Sequence, residues 1–317
     1  MLKYPLGFIL LCLWIQGCAT SLSYRITSPP PQRSDSIVYL ENVPPIEQEA
    51  FQCGPASLSS VFHYWNRDIE ASTIASEIQD PHTRGVFNFM LIHYAQQKGF
   101  WAQQIAESDI SSLQSWIRNE HPLIAMLYTG FLWVPRYHFV VIKGFNDKER
   151  IFYVNTGEET TQAIQYEDFV EKWNRAGNWA MVLAPPEEVT WPLPPDLKYN
   201  FANLLMTTGH LKRARSLYQE LIKTKPKVGF TEIHNNLAWT YYMEGRYQKT
   251  ISVIEHAWQK GAERRFDILD TLGLAYCKVG QKNKGRGLLE EALIEAKSIQ
   301  KKSETRVIKD HLKACAI

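Results

Sequence analysis

At 317 residues the chain exceeds the roughly 250 at which single hydrophobic cores stop growing, so two domains are expected. Hydrophobic residues at 45% and charged residues at 21% are ordinary globular proportions, and 35 basic against 33 acidic side chains leave a formal charge of only +2. No basic run carries interleaved aromatics, and Lys297–Arg306 alternates with Glu and Ser as a solvated helix face does, so nucleic-acid binding is excluded as an expectation.

The N-terminus places Lys3 before an apolar run from Leu6 to Ile15, followed by Gln16, Gly17 and Cys18. The run is shorter than the about 20 residues a membrane span needs and has the architecture of a signal peptide over 1–17. Ile15-Gln16-Gly17-Cys18 resembles the lipobox of bacterial lipoproteins, which implies cleavage before Cys18 and diacylation of its sulfur. With no acidic residue directly after Cys18, the resemblance implies a lipid anchor in the outer membrane, facing the periplasm. Cleavage at a nearby small residue, or an uncleaved anchor, is the alternative. Residues 18–36, rich in Ser and Pro, read as a tether.

Residues 37–185 read as a first domain. A short strand, Ile37–Leu40, precedes helical stretches over Gly54–Trp65, Ser72–Ile78, Asn88–Lys98 and Ile110–Asn119. After residue 120, Leu123–Tyr128, His138–Phe145 and Arg150–Asn155 are β-rich runs separated by turn residues, so the domain is expected to be α+β with an antiparallel sheet. A proline-rich linker occupies 186–195. Beyond it, Gly209, Gly245 and Gly280 recur 36 and 35 residues apart, each between two apolar helical stretches. Small residues, Ala202, Ala238 and Gly273, stand seven positions before each glycine, and the larger Leu205, Tyr241 and Tyr276 stand four before. This pattern resembles the tetratricopeptide repeat, which implies an all-α solenoid of about three units and a C-terminal helix over 196–317; Gly285 stands where the family usually has alanine.

Five cysteines are present: Cys12, Cys18, Cys53, Cys277 and Cys315. Without CxxC pairs or zinc-type His/Cys spacing, neither a disulfide framework nor a metal site is indicated, although an oxidising compartment leaves a Cys277–Cys315 bridge open. No cofactor is indicated either. Cys53 opens Cys53-Gly54-Pro55-Ala56-Ser57-Leu58 ahead of an apolar helix. A thiolate is the reactive form of cysteine, and unpaired N–H groups at a helix N-terminus stabilise it. Gly54 keeps the approach open, and Pro55 is tolerated in the first turn. A nucleophile needs a base and the base an orienting partner. His138 heads an apolar strand, and pairing through Asn146-Asp147 would return Asn155 beside it. Gln48 is the candidate side-chain oxyanion donor, beside the Cys53 backbone N–H. His63, on the Cys53 helix, reads as packed or surface, and Trp101, Trp116 and Trp133 as core or cleft wall.

Gln48, Cys53–Leu58, Pro122–Leu127, His138–Phe145 and Asn155 together resemble the papain-like peptidases that process bacteriocin leaders, the double-glycine peptidases, and more closely their stand-alone relatives. Two features depart from the family: Gln48 stands five residues before the cysteine rather than six, with Glu47 in that slot, and Asn155 stands where aspartate is commoner. The resemblance implies a cysteine endopeptidase with Cys53 as nucleophile, His138 as base, Asn155 as orienter and Gln48 in the oxyanion hole. It also implies cleavage of a peptide or protein substrate after small residues such as Gly-Gly, while the repeats bind a protein partner or a substrate segment. The alternatives are an inactive, peptide-binding envelope scaffold and transamidation on the same triad.

Overall fold

A computed structural model describes residues 23–25, 34–80, 85–105, 109–130, 134–224 and 229–316. The signal peptide expected over 1–17, the lipidation expected at Cys18 and most of the tether expected over 18–36 lie outside the described residues. Within the tether stretch, Ser23–Arg25 (β1) is a strand paired antiparallel with residues 162–164. The chain divides into two compact units. One comprises residues up to Leu91 with Gln104–Val182, the other Ile92–Gln103 with residues from Leu183 onward. The division after Val182 lies three residues ahead of the boundary expected from the prolines, and Ile92–Gln103 groups with the repeats instead of the first domain.

In chain order the elements before the prolines are β2 (Ile37–Tyr39), α1 (Cys53–Tyr64), α2 (Ala71–Ile78), α3 (Asn88–Gln97), β3 (Trp101–Gln104), α4 (Ile110–Arg118), β4 (Leu123–Tyr128), β5 (Tyr137–Asn146), β6 (Ile151–Asn155), β7 (Gln162–Gln165), α5 (Tyr166–Arg175) and β8 (Ala180–Ala184). The first unit is α+β, with helices against an antiparallel sheet whose strands run β1-β7-β6-β5-β4-β8. Its axis is β5. One edge pairs first with β4, from Tyr137↔Tyr128 to Ile142↔Leu123, and then with β2, while the other edge pairs with β6. Helices α1 and α4 pack on β5 and α5 packs on β4. The run from Phe139 to Asn146 is therefore buried continuously instead of alternating.

Two local features set the geometry around β5. The β5–β6 register shifts between Ile142 and Gly144, so Lys143 is the extra residue of a β-bulge, which re-aims its side chain. At Gly144 a side chain has no room, since a Cβ there would lie 2.5 Å from the Val38 carbonyl oxygen on β2. Helix α1 is buried along its length from Gly54 to Phe62, so the fold fixes its N-terminus firmly.

From Pro195 onward the second unit is helical, with packed helix pairs at the period the glycines predict: α6 (Pro195–Thr207) with α7 (Leu211–Lys223), α8 (Phe230–Met243) with α9 (Tyr247–Gln259), and α10 (Phe266–Lys278) with α11 (Lys282–Ser298), followed by α12 (Lys302–Ala316). The three repeat glycines turn each pair at φ of +87°, +75° and +83°, with open space where a Cβ would stand, so backbone conformation alone requires glycine there. Within the stretch expected as a proline-rich linker, Pro186–Glu188 forms a 3₁₀ turn, and Arg213 of α7 donates to the Pro186 carbonyl at 2.5 Å and to that of Val189. Cys277 and Cys315 form a disulfide, Cα to Cα 5.4 Å, joining α10 to α12. This settles the pairing that spacing had left open. It also accounts for Gly285, because a Cβ there would overlap the Cys277 sulfur and stand 2.7 Å from the Gly273 carbonyl oxygen. No helix among the described residues is long and apolar enough to cross a membrane.

Candidate active site

Cys53 is the first residue of α1 and is partly exposed. The backbone before it is unusual, since Phe51 holds φ at +68° and Gln52, the N-cap residue, makes no side-chain capping bond. Of the first turn, Pro55 has no N–H and the Ala56 N–H donates to Gln52 O at 2.9 Å, which leaves the Gly54 N–H to the thiol. Burial alone would push the Cys53 thiol up. The hydrogen bond and charge of His138, with the backbone N–H groups of Phe139 and Gly54, outweigh it and hold the thiol below its ordinary range. His138 shows the reciprocal behaviour. Burial would lower it, but the bond and charge of Cys53 and the Thr156 carbonyl raise it above the usual imidazole value. The two shifts favour a thiolate–imidazolium pair.

His138 enters from the start of β5, opposite Leu127. Its Nε2 contacts the Thr156 carbonyl oxygen at 2.8 Å, so Nε2–H donates there and Nδ1 is left to face the thiol. Asn155 does not fill the orienting place expected of it. The bulge pairs Asn155 with Val141, three residues along β5 from His138, which is about 10 Å of strand. Its side chain is engaged elsewhere: Nδ2 donates to Pro44 O at 3.0 Å, to Val43 O at 3.4 Å and to Ser60 Oγ at 3.4 Å, and Oδ1 accepts from Thr161 at 2.8 Å. The orienting acceptor is instead the main chain one residue later. No sequence signal marks it, because every residue carries a carbonyl.

Gln48 is brought to the same corner. Its backbone N–H donates to Gly157 O at 3.0 Å, next to the residue that holds His138. Its side chain lies so close on Gly157, at φ +85°, that any Cβ there would overlap it. Its Oε1 is buried without a hydrogen-bond partner. Phe139, Leu91 and Val86 crowd Gly54, where a Cβ would meet them at 3.2 to 3.4 Å, so glycine keeps the Cys53 approach open. His63 is bound locally, Nδ1 to Ser59 O at 2.8 Å and Nε2 to Asp68 at 3.0 Å, at the opposite end of α1 from Cys53. With Glu70 this pair brings metal-type donor atoms within 4.8 Å of one another at the surface, away from the thiol. Trp101 is buried, as expected of a core residue. Sequence reasoning missed Lys143, which is 2% exposed and donates to Val43 O at 2.6 Å; a lone lysine in an apolar strand gives no sign of its partner.

A family model described as "Peptidase_C39 like family" matches residues 40–181. Among solved structures, a C39-like peptidase from Bacillus anthracis is 17% identical, covering 47% of this chain and 97% of its own at a TM-score of 0.40. The peptidase domain of Streptococcus ComA, a bi-functional ABC transporter involved in a quorum-sensing pathway, is 19% identical, covering 44% and 96% at 0.36. The Sgt2 tetratricopeptide domain from Aspergillus fumigatus is 18% identical, covering 39% and 79% at 0.33. No curated protein matches the chain.

Proposed function

We propose that this chain, whose residues 40–181 match a Peptidase_C39-like family model, is a cysteine endopeptidase that uses Cys53 as nucleophile and His138 as general base and acid. The observation that carries the reading is the reciprocal pair: a thiol held low at the start of α1 by the imidazole whose own basicity it raises. Proton transfer from Sγ to Nδ1 gives the thiolate, which attacks a peptide carbonyl carbon and forms the C–S bond. The Cys53 N–H and the Gln48 amide receive the oxyanion. Collapse breaks the C–N bond, and His138 returns its proton to the leaving amine. Water, deprotonated by His138, then cleaves the thioester, which leaves a carboxylate and restores the thiol. The Thr156 carbonyl holds the ring throughout.

The surface around this corner supports a peptide substrate. Among the described residues, all five exposed large apolar side chains of the first unit, Phe51, Phe87, Phe89, Val134 and Tyr137, lie within four residues of Cys53 or His138 or in the segment against Gly54. A clustered apolar rim marks a binding surface. Family resemblance points to cleavage after small residues such as Gly-Gly, a sequence absent from this chain. The repeats are read as a docking site for a protein partner or substrate segment, and the lipobox-like Cys18 as the anchor of an envelope protein in the outer membrane.

Labelling of the full chain with an epoxide inhibitor of cysteine proteases tests the reading. Modification confined to Cys53, abolished in Cys53→Ala and strongly slowed in His138→Ala, is expected. Labelling of Cys53 no faster than that of free cysteine would overturn the peptidase.

A further inference from the structure

The segment from Val43 to Gln48, Val-Pro-Pro-Ile-Glu-Gln, runs from the end of β2 to the oxyanion candidate. Pro44 and Pro45 have no N–H, so this stretch cannot join a sheet by donating, and its carbonyls are what the protein can grip. It grips them heavily. Val43 O accepts from Lys143 Nζ at 2.6 Å and from Asn155 Nδ2 at 3.4 Å, and Pro44 O accepts from Asn155 Nδ2 at 3.0 Å and Ser60 Oγ at 2.6 Å. These three donors come from β5, β6 and α1, and all are buried, at 2%, 4% and 1% exposure. Thr161 Oγ1 fixes the Asn155 amide through Oδ1, and Lys143 lies over the Tyr39 ring at 4.5 Å. At the far end Gln48 N–H is bonded to Gly157 O.

A buried ammonium and a buried amide are costly unless well satisfied, and nothing in a plain loop closure demands them. Here both serve one strap, the three residues between Pro44 and Gln48, which is held at both ends. We infer that Lys143 and Asn155 are positioning residues that hold this strap so that the Gln48 amide stands where the oxyanion develops, and that Asn155 acts through Gln48 and not through His138. The inference rests on the proposed acyl transfer at Cys53. It separates two properties that a conventional triad would couple: thiolate formation belongs to Cys53, His138 and the Thr156 carbonyl, and carbonyl activation belongs to Lys143, Asn155, Ser60 and Gln48.

The two properties can be read on one protein. Alkylation of Cys53 by iodoacetamide reports the thiolate and needs no oxyanion. Acylation by p-nitrophenyl acetate, in which the thiolate attacks the acetyl carbon and p-nitrophenolate leaves, needs both. In the full chain, with Cys53→Ala as background, Lys143→Met and Asn155→Ala are expected to alkylate within about twofold of wild type with an unmoved pH inflection, while acylation falls on the order of tenfold to a hundredfold. Gln48→Ala should show the same split, and combining it with Asn155→Ala should add no further loss. An alkylation profile like that of wild type also certifies the fold. Where a variant reacts as a free thiol, Ser60→Ala, the mildest cut in the network, must show the split. An equal fall in both rates would return Asn155 to His138 and overturn the inference, as would unchanged acylation in all three variants. Failure of the peptidase reading is separate, since wild-type Cys53 would then alkylate no faster than free cysteine.

Discussion

Breaking the Cys277–Cys315 bond should cost the repeat unit about 4 kcal/mol. The bond closes a loop with a sequence separation of 38, and the chain-entropy relation gives about 13 cal/mol/K, or about 3.9 kcal/mol at 25 °C. The second unit has about 150 residues and an unfolding entropy near 0.3 kcal/mol/K, so its midpoint should fall by about 13 °C. Calorimetry of the same chain with and without reductant is the cleanest assay, because no side chain changes. The Cys277→Ser/Cys315→Ser variant is the check where the buried bond resists reduction, and it carries a further penalty because Cys315 packs with Leu274 and Leu289. A fall of less than about 4 °C in both experiments would refute the argument that this bridge constrains the unfolded chain.

Three other outcomes are expected from particular contacts. Gly285→Ala, although it restores the usual residue of the repeat, should destabilise the second unit by about 1–3 kcal/mol in denaturant titration, because its Cβ has no room beside Cys277 and Gly273. The pH inflection of Cys53 alkylation should lie below the ordinary thiol range in wild type and move upward in His138→Ala, where burial is no longer opposed by the imidazole. Lys143 is lowered to about 8, by burial first and against the pull of Glu41. The unfolded chain therefore binds a proton between about pH 8 and 10.5 that the folded chain does not. This lysine's burial penalty is present below pH 8 and relieved as pH rises through that window, so stability relative to Lys143→Met should climb by roughly 3 kcal/mol from pH 8 to 10.5.

What was legible in the sequence was what local chemistry writes locally. Cys53-Gly54-Pro55 announces a helix start, His138 stands at the mouth of an apolar run, and the repeat glycines recur at a fixed period. Asn155 was misplaced by the hairpin register itself: with Asn146 opposite Ile151 an unbroken ladder would put Asn155 opposite Ile142, and the bulge at Lys143 puts it opposite Val141, so neither register brings it level with His138. Helix α5 was readable in principle, with Tyr166, Phe169 and Trp173 on one buried face, whereas β7 and β8 are runs of four and five residues that periodicity alone cannot assign. The Cys277–Cys315 pairing depended on α12 folding back, which no spacing rule encodes.

Holding His138 by the Thr156 carbonyl changes what mutation can reach. A side-chain orienter can be deleted by one codon change; a main-chain acceptor survives any substitution at its own position that keeps the turn. Scanning 156 with alanine should therefore leave Cys53 reactivity intact, and motif searches for a third acidic or amide residue will pass over chains of this kind. The vulnerable position is the next one. Gly157, at φ +85° and pressed against Gln48, admits no other residue without moving either the carbonyl that orients the base or the amide that would meet the oxyanion. Two functions of the site thus share a single point of genetic fragility, at a residue with no side chain.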